Sequence, residues 1–311
     1  MDLGIIIHYG LYSIYAYDSI ESAKRRKICN GSEWYYTRLL ENGKFRPISG
    51  YVETQQYHKK YFSNCDYFDQ SHNLKPTRQK IKQLIKTCSN LGFKYIILTA
   101  KHHDGFCLFN TKTTHKKSDN DICKIFSEEC KKIGIEYGFY YSWFECDINF
   151  NIDYFNNYCE NQINELLRYN PHYLWFDGDW KITQKQILNK INLICKSITS
   201  LGIKINDRIG KQKNYDYCTY NVKSDRYIPT SNIDANWQHV TTIGYSWGYN
   251  QFDKYKDGKE LYKLYLQVQE LNGNFLLNVG PTKDFIISEG EMSALKEFSK
   301  FFQNERKQQK I

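Results

Sequence analysis

At 311 residues, 41% of them hydrophobic, the chain is long enough for one large α/β barrel or two ordinary domains. Its net charge of +9 is spread over small clusters at 24–27, 116–117 and 306–307. No nucleic-acid motif accompanies them and no apolar run approaches a membrane span, so neither a nucleic acid nor a membrane is expected as a partner. Ten scattered cysteines without CxxC spacing argue against a zinc site, and with no signal peptide ahead of them they point to free thiols and an intracellular or cytoplasmic setting.

The first element is a buried strand at 3–7, apolar and β-branched, ending in His8-Tyr9-Gly10. A polar loop over 16–32 leads to a helix that starts near Glu33-Trp34 and runs to Leu40; a second loop over 42–52 precedes a short helix at 54–62. Helical spacing of Ile81, Leu84, Ile85 and Cys88 predicts a helix over 75–91 closed by Gly92. A strand at 93–100 then ends in Lys101-His102-His103-Asp104-Gly105. A helix over 121–133, a strand over 135–142 ending in Tyr140-Tyr141, and a helix over 154–169 follow. The next apolar run, Tyr173-Leu174-Trp175-Phe176, stops at Asp177-Gly178, and a carboxylate at the carboxyl end of a buried strand sits where α/β folds place their chemistry. A helix over 185–201, a short strand over 203–205 ending in Asn206-Asp207-Arg208, an irregular stretch over 209–250, a helix over 259–270, a strand over 274–279 and a helix over 289–302 complete the chain.

Strand and helix alternate, which implies parallel βαβ units. No GxGxxG or GxxxxGKS loop is present, so a (β/α)8-type, TIM-like barrel fits better than a doubly wound nucleotide-binding sheet, and no cofactor is expected. The expected layout is one catalytic barrel over 1–303 with a frayed, charged tail over 304–311. Five strands end in polar or ring-bearing residues, His8, His102, Tyr141, Asp177 and Arg208, and a barrel brings those ends to one face.

The blocks Gly4-Ile5-Ile6-Ile7-His8-Tyr9-Gly10, Glu33-Trp34-Tyr35, Lys101-His102-His103-Asp104-Gly105-Phe106, Tyr140-Tyr141-Ser142, Trp175-Phe176-Asp177-Gly178, Asn206-Asp207-Arg208, Ser246-Trp247-Gly248-Tyr249 and Asn278-Val279-Gly280-Pro281 together resemble the motifs of family 29 glycoside hydrolases, the α-L-fucosidases. They run in the family's order over nearly the whole chain. The resemblance implies a retaining fucosidase that acts on fucosylated glycans or glycoconjugates by double displacement. A carboxylate nucleophile and a nearby acid/base group are what such chemistry needs. The resemblance assigns the nucleophile to Asp177, its cationic neighbour to Arg208, and the sugar-binding set to His8, Glu33, Trp34, His102, His103, Tyr141 and Trp175. Adjacent His102 and His103 point to opposite sides of an extended chain, so both reach one ligand only if the strand has ended before them. Ile6 shares the inward face of His8 and, with Trp175, is the candidate surface for the methyl group of fucose. A His-His-Asp cluster also suits a metal-dependent hydrolase, but no His-x-His or second acidic cluster accompanies it, and no metal is expected.

The acid/base position departs from the family pattern. Many members carry Asp-Phe-x-Thr-Pro-Glu here; the local match, 216–221, ends in Asn221 where the Glu should be. Other members place an Asp four residues before a Pro with a Trp eight beyond it, and Asp225, Pro229 and Trp237 have that spacing. Asp225 is therefore the expected proton donor and Asp216 the fallback. The Glu that usually follows the Trp is Gln238, and together with Asn221 it motivates an alternative, a catalytically impaired fucose-binding protein. Tyr9 stands where the family usually has Trp, and Phe285 where it often has Gly. With about 30 residues following Gly280, the family's common C-terminal β-sandwich is not expected.

Overall fold

The computed structural model describes residues 2–19, 31–40, 50–149, 151–210, 215–216, 225–231 and 235–308. Seven strands form one all-parallel curled sheet: β1 (Leu3–Ile7), β2 (Tyr95–Lys101), β3 (Glu136–Ser142), β4 (Tyr173–Asp177), β5 (Lys204–Ile205), β6 (Gln238–Thr242) and β7 (Asn274–Val279), in the spatial order β5-β4-β3-β2-β1-β7-β6. This is the TIM-like barrel expected from the alternation. Among the described residues it is a curled half-barrel, with no strand joining β5 to β6.

The strands form where short apolar runs can be buried on both faces, and every residue of β1, β2, β4 and β6 is buried. The helices Arg78–Asn90, Ile122–Ile133 and Gly258–Glu270 begin at side-chain caps: Thr77 accepts from the Lys80 N–H, Asp121 from that of Lys124, and Asp257 from that of Glu260. Their apolar faces cover the outside of the sheet. The period of two divides the core accordingly. Ile5, Ile7, Phe139, Tyr141, Leu174, Phe176, Phe275 and Leu277 pack outward under the helices, whereas Ile6, Tyr95, Ile97, Tyr140, Tyr173, Trp175, Val240 and Leu276 fill the interior of the curl.

Three details differ from the sequence reading. β6 lies inside the stretch read as irregular: its Gln-His-Val-Thr-Thr sequence lacks an apolar run, yet it pairs in register with β7 from Gln238↔Asn274 to Thr242↔Asn278. The last helix, Glu289–Gln308, continues into the segment read as a frayed tail. The helix read over 154–169 starts at Ile152 and carries a π-helical segment at Phe155–Cys159 between Ile152–Tyr154 and Glu160–Leu167. The two departures at Tyr9 and Phe285 meet each other, with ring centroids 4.7 Å apart. Phe285 has φ +63°, the left-handed conformation that glycine adopts freely, so its ring packing on Tyr9 offsets backbone strain of about 1 kcal/mol.

Candidate active site

β4 ends at Asp177, and the residue after it sets the local geometry. Gly178 takes φ +83°; a Cβ on it would lie 2.7 Å from the Phe144 Cβ and 2.8 Å from the Phe144 backbone nitrogen. Only glycine allows the chain to turn this tightly against the loop after β3. Ser142↔Asp177 register and the Trp143 N–H bond to the Asp177 carbonyl (2.8 Å) fix the two strand ends side by side.

Arg208 is delivered by a short strand extended with a side chain. β5 pairs with β4 over only two positions, Tyr173↔Lys204 and Leu174↔Ile205. The buried amide of Asn206 then stands in for backbone: its Oδ1 accepts from the Phe176 N–H (2.7 Å) and its Nδ2 donates to the Phe176 carbonyl (2.9 Å). Two residues on, the Arg208 carbonyl accepts from Trp143 Nε1 (3.0 Å). So held, the guanidinium lies over Trp175 (4.6 Å to the ring centroid), donates from Nη1 to Asp177 Oδ1 (2.8 Å), and donates from Nη2 to Asp225 Oδ1. One cation thus bridges the two carboxylates that the sequence singled out.

Asp177 is only 8% exposed. Burial pushes its carboxyl up, but the Arg208 charge, with hydrogen bonds from Arg208 and Tyr140, outweighs it and holds the group below its ordinary value. Its second oxygen, Oδ2, accepts from the Tyr140 hydroxyl at 2.8 Å. Tyr141, the residue expected in the sugar-binding set, faces the other way. Its hydroxyl donates to Gln162 Oε1 (2.7 Å) beneath the helices, and Lys101 Nζ sits over its ring. The alternation of β3 is the reason: with Tyr140 paired to inward Trp175, Tyr141 must point outward.

Three imidazoles cluster beside the carboxylate, with His103 nearest to it. The β2 ladder shifts register between Thr99 and Lys101, so the strand has ended before His102 and His103, and both rings turn inward with centroids 4.1 Å apart. His103 Nδ1 bonds Ser142 Oγ (2.7 Å), whose own proton goes to the Phe144 carbonyl (2.7 Å); Nδ1 is therefore the donor and Nε2, 3.7 Å from Asp177 Oδ2, is left as an acceptor. His8 Nδ1 bonds Asn278 Oδ1 (2.6 Å), and because Asn278 Nδ2 donates to the Trp247 carbonyl (2.7 Å), this imidazole too carries its proton on Nδ1. Burial depresses His8 to about 3 and His103 to about 4, and pushes His102 well below its ordinary value. All three are neutral at physiological pH. His102 Nδ1 is buried without a hydrogen-bond partner among the described residues.

Around them, Trp34 packs on His103 (4.8 Å), Trp247 on His8 (5.2 Å), and Trp175 stacks on Tyr140 (5.5 Å). Ile6 lies in the same interior cluster as Trp175. Glu33 is buried beside this wall but its oxygens serve the backbone: Oε1 accepts from the Gly31 N–H (2.7 Å) and Oε2 from those of Trp247 and Gly248 (both 3.1 Å), so it holds the Trp247 turn in place.

The fallback donor Asp216 is not in this constellation. Its Oδ2 accepts from the Ile205 N–H (2.8 Å), and its carbonyl accepts from Asn236, which also bonds Asn274 at the first residue of β7. That is the amino end of the sheet, away from Asp177. Gln238 is likewise structural: its Oε1 accepts from Trp175 Nε1 (3.0 Å) and its Nε2 donates to the Tyr95 hydroxyl (2.7 Å). Asn221 lies outside the described residues. Sequence reasoning missed Tyr140 and Asn206; the alternation of β3 says only that Tyr140 and Tyr141 face opposite ways, and nothing in the spacing marks Asn206.

A family model described as alpha-L-fucosidase matches residues 1–307. The chain belongs to the α-L-fucosidase family. Among curated relatives, the α-L-fucosidase of Dictyostelium discoideum is 27% identical over 310 residues, covering 89% of this chain and 63% of its own length, so this chain spans under two thirds of that relative. The crystal structure of Thermotoga maritima α-fucosidase superimposes with a TM-score of 0.78 at 25% identity, over 97% of this chain and 72% of that one. The Thermotoga maritima enzyme in complex with fucose is similar at 26% identity and a TM-score of 0.76, with the same coverage.

Proposed function

We propose that this protein hydrolyses terminal α-L-fucosyl residues from glycans or glycoconjugates with retention of configuration. The observation that carries the reading is the buried Asp177 carboxylate, kept ionised by Arg208 and aimed by Tyr140 inside a ring of neutral imidazoles and indoles. Family membership supports the activity. The bridging of Asp177 and Asp225 by a single guanidinium supports the close carboxylate spacing that retention requires.

In this reading an Asp177 oxygen bonds the anomeric carbon as the glycosidic C–O bond breaks, and Asp225, carrying a proton and released from Arg208, protonates the departing oxygen. In the second step water attacks the anomeric carbon, its proton passes to Asp225, and the Asp177 ester bond breaks. His8 and His103 offer Nε2 acceptors to sugar hydroxyls, His102 Nδ1 takes a further one, and Trp175 with Ile6 supplies a dry surface for the C6 methyl. Glu33 acts by holding Trp247.

The test is turnover of an aryl α-L-fucoside followed by proton NMR. The expected first product is α-fucose, and Asp177→Ala should reduce turnover at least a thousandfold, with azide giving the inverted fucosyl azide. β-Fucose as the first product, or near-normal turnover in Asp177→Ala, would falsify the mechanism.

A further inference from the structure

Trp180 stands apart from the other indoles of the site. Trp175 is 3% and Trp247 8% exposed, but Trp180 is 50% exposed. It sits three residues after Asp177 on a single 3-10 turn, Asp179–Lys181. That turn is pinned on both sides: Gly178 packs it against Phe144, and Asp179 Oδ2 accepts from the Gly210 N–H (3.0 Å) just beyond Arg208. The indole edge meets His103 with centroids 5.3 Å apart at 84°, and lies 6.0 Å from the Phe144 ring. His103 in turn is 3.7 Å from Asp177 Oδ2. A rigid, half-exposed indole therefore stands one ring beyond the reacting carboxylate, outside the buried cluster that encloses the first sugar.

A fixed apolar face of this kind loses little conformational freedom when it is covered, and it selects by shape and C–H contact rather than by hydrogen bonding. We propose that Trp180 is the stacking platform for the leaving group, and that the preferred leaving group is a pyranose presenting an apolar C–H face. The substrate class is then a fucosylated oligosaccharide. The inference rests on the fucosidase reading and deepens it.

The experiment compares kcat/KM for a set of fucosyl disaccharides spanning the common linkages with kcat/KM for α-L-fucosyl fluoride, whose leaving group has no ring. In Trp180→Ala the ratio of the best disaccharide to the fluoride should fall about 3- to 10-fold, through a higher KM for the disaccharide, and Trp180→Phe should restore most of it. A ratio within twofold of wild type in Trp180→Ala overturns the inference, as does an equal loss on both substrates, which would mark Trp180 as support for His103. A wild type that cleaves the fluoride but no disaccharide overturns the inference and leaves the fucosidase reading standing. A wild type inert to the fluoride defeats both.

Discussion

Replacing Arg208 by Met tests the electrostatic core of the site. Arg208 is 6% exposed, and its guanidinium supplies the favourable charge that offsets the burial of Asp177. Removing one partner of such a buried pair costs about 3–5 kcal/mol, because the other charge is left uncompensated. At roughly 2–4 °C per kcal/mol for a domain of this size, Tm should fall by on the order of 10 °C. The pH dependence carries a sign. With Arg208 present, the folded-state pKa of Asp177 lies below that of the unfolded chain, so its contribution to stability is present above the ordinary carboxylate range and is lost as pH falls through it. Without Arg208, burial is opposed only by His103 and the Tyr140 hydrogen bond, so the folded pKa should move up past the unfolded one and the same group should cost stability as pH rises. Urea unfolding at pH 5 and pH 7.5 should therefore show a larger deficit for Arg208→Met at the higher pH. The acidic limb of kcat/KM for an aryl fucoside should move to higher pH. Arg208→Lys, which keeps a charge but cannot span both carboxylates, should leave that limb nearer its wild-type position. A deficit equal at both pH values, with an unmoved acidic limb, refutes the assignment of Arg208 as the group that keeps Asp177 ionised.

Tyr140→Phe should lower kcat about 10- to 100-fold by removing a hydrogen bond to a charged oxygen, whereas Tyr141→Phe should cost about 1 kcal/mol in urea unfolding and leave kcat unchanged. Asp225→Ala should slow fucosides with poor leaving groups far more than activated aryl fucosides. Asp216→Ala should lower Tm without altering the leaving-group dependence, and the reverse pattern would move the donor to Asp216. Glu291 is buried, with Oε1 on the Gly280 N–H, and burial lifts its pKa from 4.5 to about 8. The native state thus holds a proton that the unfolded chain releases earlier, and stability is lost as pH rises across that window. Glu291→Gln should flatten the decline in urea midpoint between pH 5 and 8.5, and an unchanged slope counts against it.

The fold was legible wherever burial on both faces forces an apolar run, as in Leu3–Ile7 and Tyr173–Asp177. It was illegible in β6, whose two threonines, Gln238 and His239 are buried by neighbouring strands and loops that a local pattern does not encode. In the site, the motif blocks singled out Asp177, Arg208 and three histidines, and the fold brings these residues together. The choice between Tyr140 and Tyr141 needed the β3–β4 register, which is a tertiary quantity. Asp216 and Asp225 each satisfied a spacing, and only the fold separates them, one at the amino end of the sheet and the other on Arg208. Glu33 was read as a sugar-binding residue, whereas its oxygens accept from the Trp247 and Gly248 backbone, contacts that span more than 200 residues and leave no trace in sequence.

The contact made by Gly178 bears on how this gene can vary. Any single-nucleotide missense change at a glycine codon introduces a Cβ, and here that atom would sit 2.7 Å from Phe144. In a saturation scan scored on fucoside turnover, position 178 should be as intolerant as position 177, although its residue has no functional group. Alanine, the mildest replacement, should already score with the nulls, and no second-site change at Phe144 should rescue it, because part of the clash is with the Phe144 backbone nitrogen at 2.8 Å.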